Sequence, residues 1–176
     1  DTGCFGGEHV TSASFGKYGD LILRGTTDDI VDPYVSFYIS NYRGLHSQSA
    51  LNAPDYKGMV MRVLPNTADS GSIFELFYYT SDHGFAEGGY SVSAQYNNRE
   101  EWQYLVFDFT DKPLWSGTID GFRLEWTLKG GKGAEMAISD MWFFGSAEEA
   151  LAFAEAQMPE ETTAGETTAE ESSGAD

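Results

Sequence analysis

Apolar and polar residues alternate with a period of two along most of this chain, and clusters of Gly, Asn, Asp and Pro break the alternation into strand-length segments. The pattern predicts strands at 19–24, 34–40, 57–64, 72–80, 90–96, 102–109, 119–127 and 134–144, with a further edge strand at 8–15. In one of them Met59, Met61 and Val63 share a face, while Val60 and Arg62 take the other. Leu105, Phe107 and Phe109 oppose Tyr104, Val106 and Asp108; Phe122 and Leu124 oppose Arg123 and Glu125. One face of each strand is apolar. The other mixes aromatic with polar and charged groups, more richly than a plain solvent-facing sheet needs. Many short strands with turn chemistry between them predict an all-β sandwich. One helix is predicted at 146–157. Ser146 is its N-cap, Glu149 completes a capping box and Pro159 stops it. Its narrow stripe of Ala150, Leu151, Phe153 and Ala154 suits packing on one end of the sandwich.

Composition divides the chain into two parts. The 176 residues suit one domain, and a chain of this size buries a core without staple or metal. Residues 159–176 carry six acids, no base, and no aromatic or branched aliphatic residue. Such a segment cannot repay its ordering entropy by burial. It is expected to be a disordered Thr/Glu-rich linker that follows a domain spanning 1–158 and joins it to other modules of the same parent chain. The formal charge is −18, and the body alone keeps 22 acids against 10 bases. A field of that sign excludes nucleic acid and anionic lipid as partners. No apolar run approaches the roughly 20 residues of a membrane span, so no membrane insertion is expected. Cys4 has no second cysteine to pair with and decides nothing about compartment. The acid at Asp1, three residues before it, argues against a lipoprotein cleavage site. No signal-peptide pattern opens the sequence; a chain that begins just after one would look like this, and so would many others.

Nothing in the sequence has catalytic form. There is no G-x-S-x-G, P-loop, H-E-x-x-H or C-x-x-C, and His9, His46 and His83 have no ligand-like spacing. Glu75, Asp108, Glu125 and Asp140 are acids within strands. They are expected to serve as solvated sheet-face groups or turn-side acceptors, not as the carboxylate pair of a glycosidase. The chain is read as a non-enzyme.

The order of motifs points to a family. Asp32-Pro33-Tyr34 follows a Gly-Thr-Thr-Asp turn, and Tyr56-Lys57-Gly58-Met59-Val60-Met61-Arg62 comes next. An aromatic strand ends at Thr80, and Phe85-Ala86-Glu87 precedes another. Trp102 opens a strand that closes on Val106-Phe107-Asp108-Phe109. Trp115-Ser116-Gly117-Thr118-Ile119 leads to Phe122-Arg123-Leu124-Glu125, and the last strand is Ile138-Ser139-Asp140-Met141-Trp142-Phe143-Phe144. Over about residues 18–157 this series resembles the galactose-binding-like jelly rolls found as carbohydrate-binding modules or accessory domains of secreted bacterial polysaccharide-degrading proteins. The fold implied is a jelly-roll β-sandwich with one short C-terminal helix. The function implied is non-catalytic binding of a neutral polysaccharide, a glucan of plant cell wall or starch, by a secreted or cell-surface protein. The alternative is a structural or adhesion spacer that binds no sugar. The resemblance also implies a structural calcium between Glu8 and Asp140, with no cofactor otherwise required.

A pyranose ring has an apolar C–H face and a rim of hydroxyls, so its site needs an aromatic platform beside polar side chains. Arg62, Arg123 and Glu125 lie on polar strand faces, and Tyr38, Tyr78, Tyr96 and Trp126 are the aromatics expected beside them. Trp126 stands in a Glu125-Trp126 pair where the family has Asp-Pro, and is the first candidate platform. The loop 41–52 adds Tyr42, Arg43, His46 and Gln48 for hydroxyl recognition. Trp102 and Trp115 occupy motif positions and are expected to be structural; Trp142 is expected in the core or under the terminal helix. Phe74, Phe77, Phe107 and Phe109 are expected in the core.

Overall fold

Alternation with one apolar side makes a strand that buries only that side, and two such sheets close a core face to face. The computed structural model describes residues 4–8, 10–15, 21–25, 33–39, 45–46, 51–66, 73–80, 90–127 and 134–158. Its strands are β1 (Cys4–Glu8), β2 (Val10–Phe15), β3 (Leu21–Gly25), β4 (Tyr34–Tyr38), β5 (Leu45–His46) and β6 (Leu51–Asn52). β7 (Gly58–Asn66), β8 (Ile73–Thr80), β9 (Ser91–Gln95), β10 (Gln103–Asp108), β11 (Thr118–Glu125) and β12 (Glu135–Phe144) follow, and α1 (Ala147–Gln157) comes last. The first sheet runs β1-β4-β11-β8-β9, with β6 also pairing β11. The second runs β10-β7-β12-β3-β2, with β5 parallel to β12. The expected edge strand at 8–15 is two strands: β1 borders the first sheet and β2 the second, so the chain changes sheet between them. This is the jelly-roll β-sandwich with one short C-terminal helix.

The inner faces meet through Phe37, Phe74, Leu76, Phe122 and Leu124 on one side and Met59, Met61, Leu105, Phe107 and Met136 on the other, all essentially inaccessible. Phe74 and Phe107 meet edge to face across the core, ring centres 5.9 Å apart. Trp115 plugs one end. It stacks on Phe109 at 3.8 Å, and its indole nitrogen donates to the carbonyls of Ala53 and Tyr56 at 3.0 and 2.8 Å. The expected structural role of Trp115 holds. Gly117, with φ at 66°, turns the chain into β11, and its carbonyl accepts from Ala53 N at 2.8 Å.

The helix sits outside the sandwich, on the outer face of the second sheet. Ser146 caps it by accepting from Glu149 N at 3.1 Å. Ala150 and Ala154 press on Val60, with Phe153 against Trp142 and Phe144 at 5.0 and 5.2 Å. Trp142 thus lies under the helix, as its register predicts. Only a glycine fits beneath the helix at Gly58: a β-carbon there would stand 2.5 Å from Ser146 O and 2.8 Å from Ala150 Cβ. The segment 159–176 lies outside the described residues.

Candidate carbohydrate-binding face

Sheet register decides which predicted residues meet. On the outer face of the first sheet, Glu125 stands between Tyr34 and Glu75, Arg123 between Ser36 and Phe77, and Gly121 between Tyr38 and Tyr79. β9 extends the first two rows with Ser93 and Ser91. The face therefore carries a central cation, two acids, four aromatic rings and a serine rim. No described element covers it, whereas α1 occupies part of the opposite outer face.

Arg123 organises the centre. Its guanidinium carbon lies 3.8 Å from the Tyr34 ring centre and 4.9 Å from that of Phe77. It donates to Glu125 Oε1, and Glu125 is only 3 % exposed. That contact neutralises an acid the sheet would otherwise bury at a cost of several kcal/mol (~, per ion). Ser91 Oγ donates to Glu75 Oε1 at 2.8 Å, which holds the second acid at the rim. Tyr38 and Tyr79 meet edge to face at 5.7 Å. Tyr38 is 44 % exposed and Tyr79 only 7 %. The phenol of Tyr79 is pushed well above its usual range, by burial first and then by the Tyr38 phenol and the Asp120 carboxylate. Tyr78, in the core, is pushed up to about 12 by burial and by Tyr90.

Of the sequence candidates, Tyr38, Arg123 and Glu125 share this face. Three aromatics do not. Trp126 is fully buried, its Nε1 donating to Ala134 O at 3.3 Å and its carbonyl accepting from Tyr96 Oη at 2.7 Å. Tyr96 is 5 % exposed, and Tyr78 is fully buried against Trp115 and Phe109. Rings without accessible surface cannot stack on a sugar, so Trp126, Tyr78 and Tyr96 are corrected to core. The signal was in the alternation: Trp126 is in phase with Phe122 and Leu124, Tyr78 with Phe74 and Leu76, Tyr96 with Val92 and Ala94. The same rule finds the missed residues. Tyr34 and Tyr79 fall on the outward phase, as does Phe77, which is half-buried under Arg123 and not in the core.

Arg62 belongs to the other side of the molecule. It lies on β7 in the second sheet, between Tyr104 and Asp140, so the sandwich core separates it from Arg123. Tyr42, Arg43 and Gln48 lie outside the described residues. His46 is on β5, paired in parallel with Trp142. The two residues of the calcium expectation are on different sheets. Glu8 is on β1 of the first sheet, opposite Tyr34. Asp140 is on β12 of the second, facing the cation Arg62. Among the described residues no group of three or more His, Cys, Asp or Glu side chains has the arrangement of a metal site. Asp108 accepts from Thr110 N at 2.8 Å, the turn-side role expected of it.

No family model matches the chain, and no curated protein matches it in sequence. Solved structures do. The xylan-binding module CBM86 of the gut symbiont Roseburia intestinalis aligns with a TM-score of 0.53 at 11 % identity, over 80 % of this chain and 86 % of its own. This chain shares that module's β-sandwich fold. A β-1,3-glucan-binding module of family 6 from Bacillus halodurans gives 0.44 at 13 % identity, over 78 % and 87 %. A family 11 module of a cellulosomal cellulase of Clostridium thermocellum gives 0.46 at 13 % identity, over 82 % and 87 %. No helix among the described residues is long and apolar enough to cross a membrane.

Proposed function

We propose that the chain is a non-catalytic module that binds a neutral polysaccharide, a glucan first, across the outer face of the first sheet. The observation that carries this reading is Tyr38: an exposed ring braced edge-on by Tyr79, one register row from the Arg123–Glu125 pair. Tyr38 offers a platform to the C–H face of a pyranose. Glu75, Ser91 and Ser93 line the rim, where hydroxyls find acceptors and donors. A neutral ligand needs no electrostatic attraction, which agrees with a body of 22 acids and 10 bases. The xylan-binding neighbour of the same fold makes xylan the first comparison ligand. An extracellular, multimodular parent, joined through a Thr/Glu-rich linker at 159–176, completes the proposal.

Affinity electrophoresis against cellulose derivatives, mixed-linkage glucan, β-1,3-glucan, starch and xylan tests it. Retardation is expected on at least one gel, and Tyr38→Ala is expected to weaken it about five- to tenfold with an unchanged melting temperature. No retardation on any gel overturns the reading in favour of the spacer domain. Release of reducing ends from any of these polymers overturns its non-catalytic part.

A further inference from the structure

Two large aromatic side chains are well exposed among the described residues, Tyr38 and Trp102, and they lie on opposite sides of the sandwich. Tyr38 faces out from the first sheet. Trp102 precedes β10 in phase with Tyr104 and Val106, the outward face of the second sheet. Sequence order places Trp102 at a motif position with a structural role, yet the residue is 36 % exposed.

That ring is held by a cation, and the turn before it is held by hydrogen bonds. Arg62 lies over it, guanidinium carbon to ring centre 4.1 Å, and is itself fixed by donating to Ser139 Oγ at 3.2 Å. The turn that leads into Trp102 is tied to the neighbouring Gln103. The Gln103 amide oxygen accepts from Asn97 N at 2.9 Å, and its nitrogen donates to the carbonyls of Asn97 and Arg99 at 2.9 and 3.3 Å. Asn97 Oδ1 in turn accepts from Arg99 N at 3.0 Å. An indole that only sealed the core would be covered. This one is packed under Arg62 and partly open, and the turn just before it in the chain carries exposed side chains at Asn98, Glu100 and Glu101. α1 packs farther along the same face, on Val60 and Trp142.

We propose that Trp102 is the platform of a second sugar site, backed by Arg62 and rimmed by the 97–101 turn. The inference rests on the reading above, since it takes the same ligand chemistry: a neutral pyranose stacks on the open part of the indole, and its hydroxyls donate to the neighbouring acids and amides. Rigidity established before binding spares the ordering cost that weakens flexible sites. The two sheets pack about 10 Å apart and each site points away from the core, so one glycan chain does not lie across both. The module is therefore bivalent and bridges two chains.

Titration calorimetry with cellohexaose, laminarihexaose and xylohexaose, beside acrylamide quenching of tryptophan fluorescence, tests this. The wild type is expected to bind two equivalents of at least one hexaose. Tyr38→Ala and Trp102→Ala each leave one, and the double variant none. Bound hexaose is expected to shield the exposed indole from quenching in the wild type and in Tyr38→Ala, and in neither Trp102 variant. Trp102→Phe, which keeps a ring, is expected to retain most of the second site's affinity, and unchanged melting curves exclude misfolding. One equivalent in the wild type, unaltered by Trp102→Ala and abolished by Tyr38→Ala, overturns the second site and leaves the first-sheet reading intact. No binding of any hexaose or polymer overturns both.

Discussion

The phenol end of Tyr79 rests on Gly121, in the space a β-carbon would fill, and that same β-carbon would stand 2.5 Å from the Phe37 carbonyl oxygen. The absent side chain on β11 thus lets a tyrosine lie low on the sheet and brace the exposed Tyr38. Gly121→Ala is expected to push Tyr79 outward, cost about 1–3 kcal/mol of stability and weaken polysaccharide retention. Because part of the clash is with Tyr79, the penalty should shrink in a Tyr79→Ala background. A double-mutant cycle in urea reads that coupling; equal penalties in both backgrounds would show the backbone contact alone is responsible.

Glu125 is nearly inaccessible, and its partner Arg123 is also clamped between two rings. Glu125→Ala leaves that cation without its acceptor and is expected to cost about 1–3 kcal/mol. Replacing both residues by Met should recover part of the loss, since an apolar pair needs no desolvation of charge. Chemical denaturation measures both values. A loss within experimental scatter for the single variant would mean the pair behaves as a surface contact.

Trp126→Ala is a core truncation and not a binding-site variant. It removes a fully buried indole and one of two donors to the Ala134 carbonyl, which keeps its bond from Gly25 N at 2.8 Å. The expected cost is about 3–5 kcal/mol, visible as a lowered melting temperature or loss of soluble protein. Trp126→Phe should be milder and should leave sugar retention unchanged. Loss of retention in a fully folded Trp126→Phe would contradict the placement of the site.

Both Tyr78 and Tyr79 hold their protons more tightly when folded than a free tyrosine does, Tyr78 up to about 12. Above about pH 10 the unfolded chain loses these protons while the folded chain keeps them, so stability is complete below that pH and falls as pH rises toward 12. Thermal unfolding across pH 8–12 should show that decline beginning near pH 10 (~, from the ordinary tyrosine value). Tyr78→Phe should flatten part of it. An undiminished slope in Tyr78→Phe and Tyr79→Phe would assign the transition to other groups.

Gly58 sets the closeness of α1 to the second sheet. Gly58→Val is expected to lift the helix, destabilise by about 1–3 kcal/mol and expose Trp142, read as a red shift in tryptophan emission. Retention through Tyr38 should persist in the folded fraction, because the helix and that face are on opposite sides of the sandwich.

The sequence by itself determined the strands, the sandwich, the capped helix and the inward side of each strand, because those follow from local alternation and capping chemistry. It even held the inward phase of Trp126 and the outward phase of Phe77, had alternation been weighed above motif position. It did not hold the neighbours across strands. Arg62 and Arg123 read alike in sequence, each an arginine on a polar strand face, and only the strand order put them in different sheets with the core between. Tyr34, Phe77 and Glu125 gather around Arg123 because β4, β11 and β8 lie side by side, although β4 and β11 are far apart in the chain. Trp102 stays open because α1 packs farther along its face, over Val60 and Trp142. Alternation is a property of each segment and is written in its residues. Which open faces adjoin, and which are covered, depends on pairings between distant segments, and those exist only once the chain has folded.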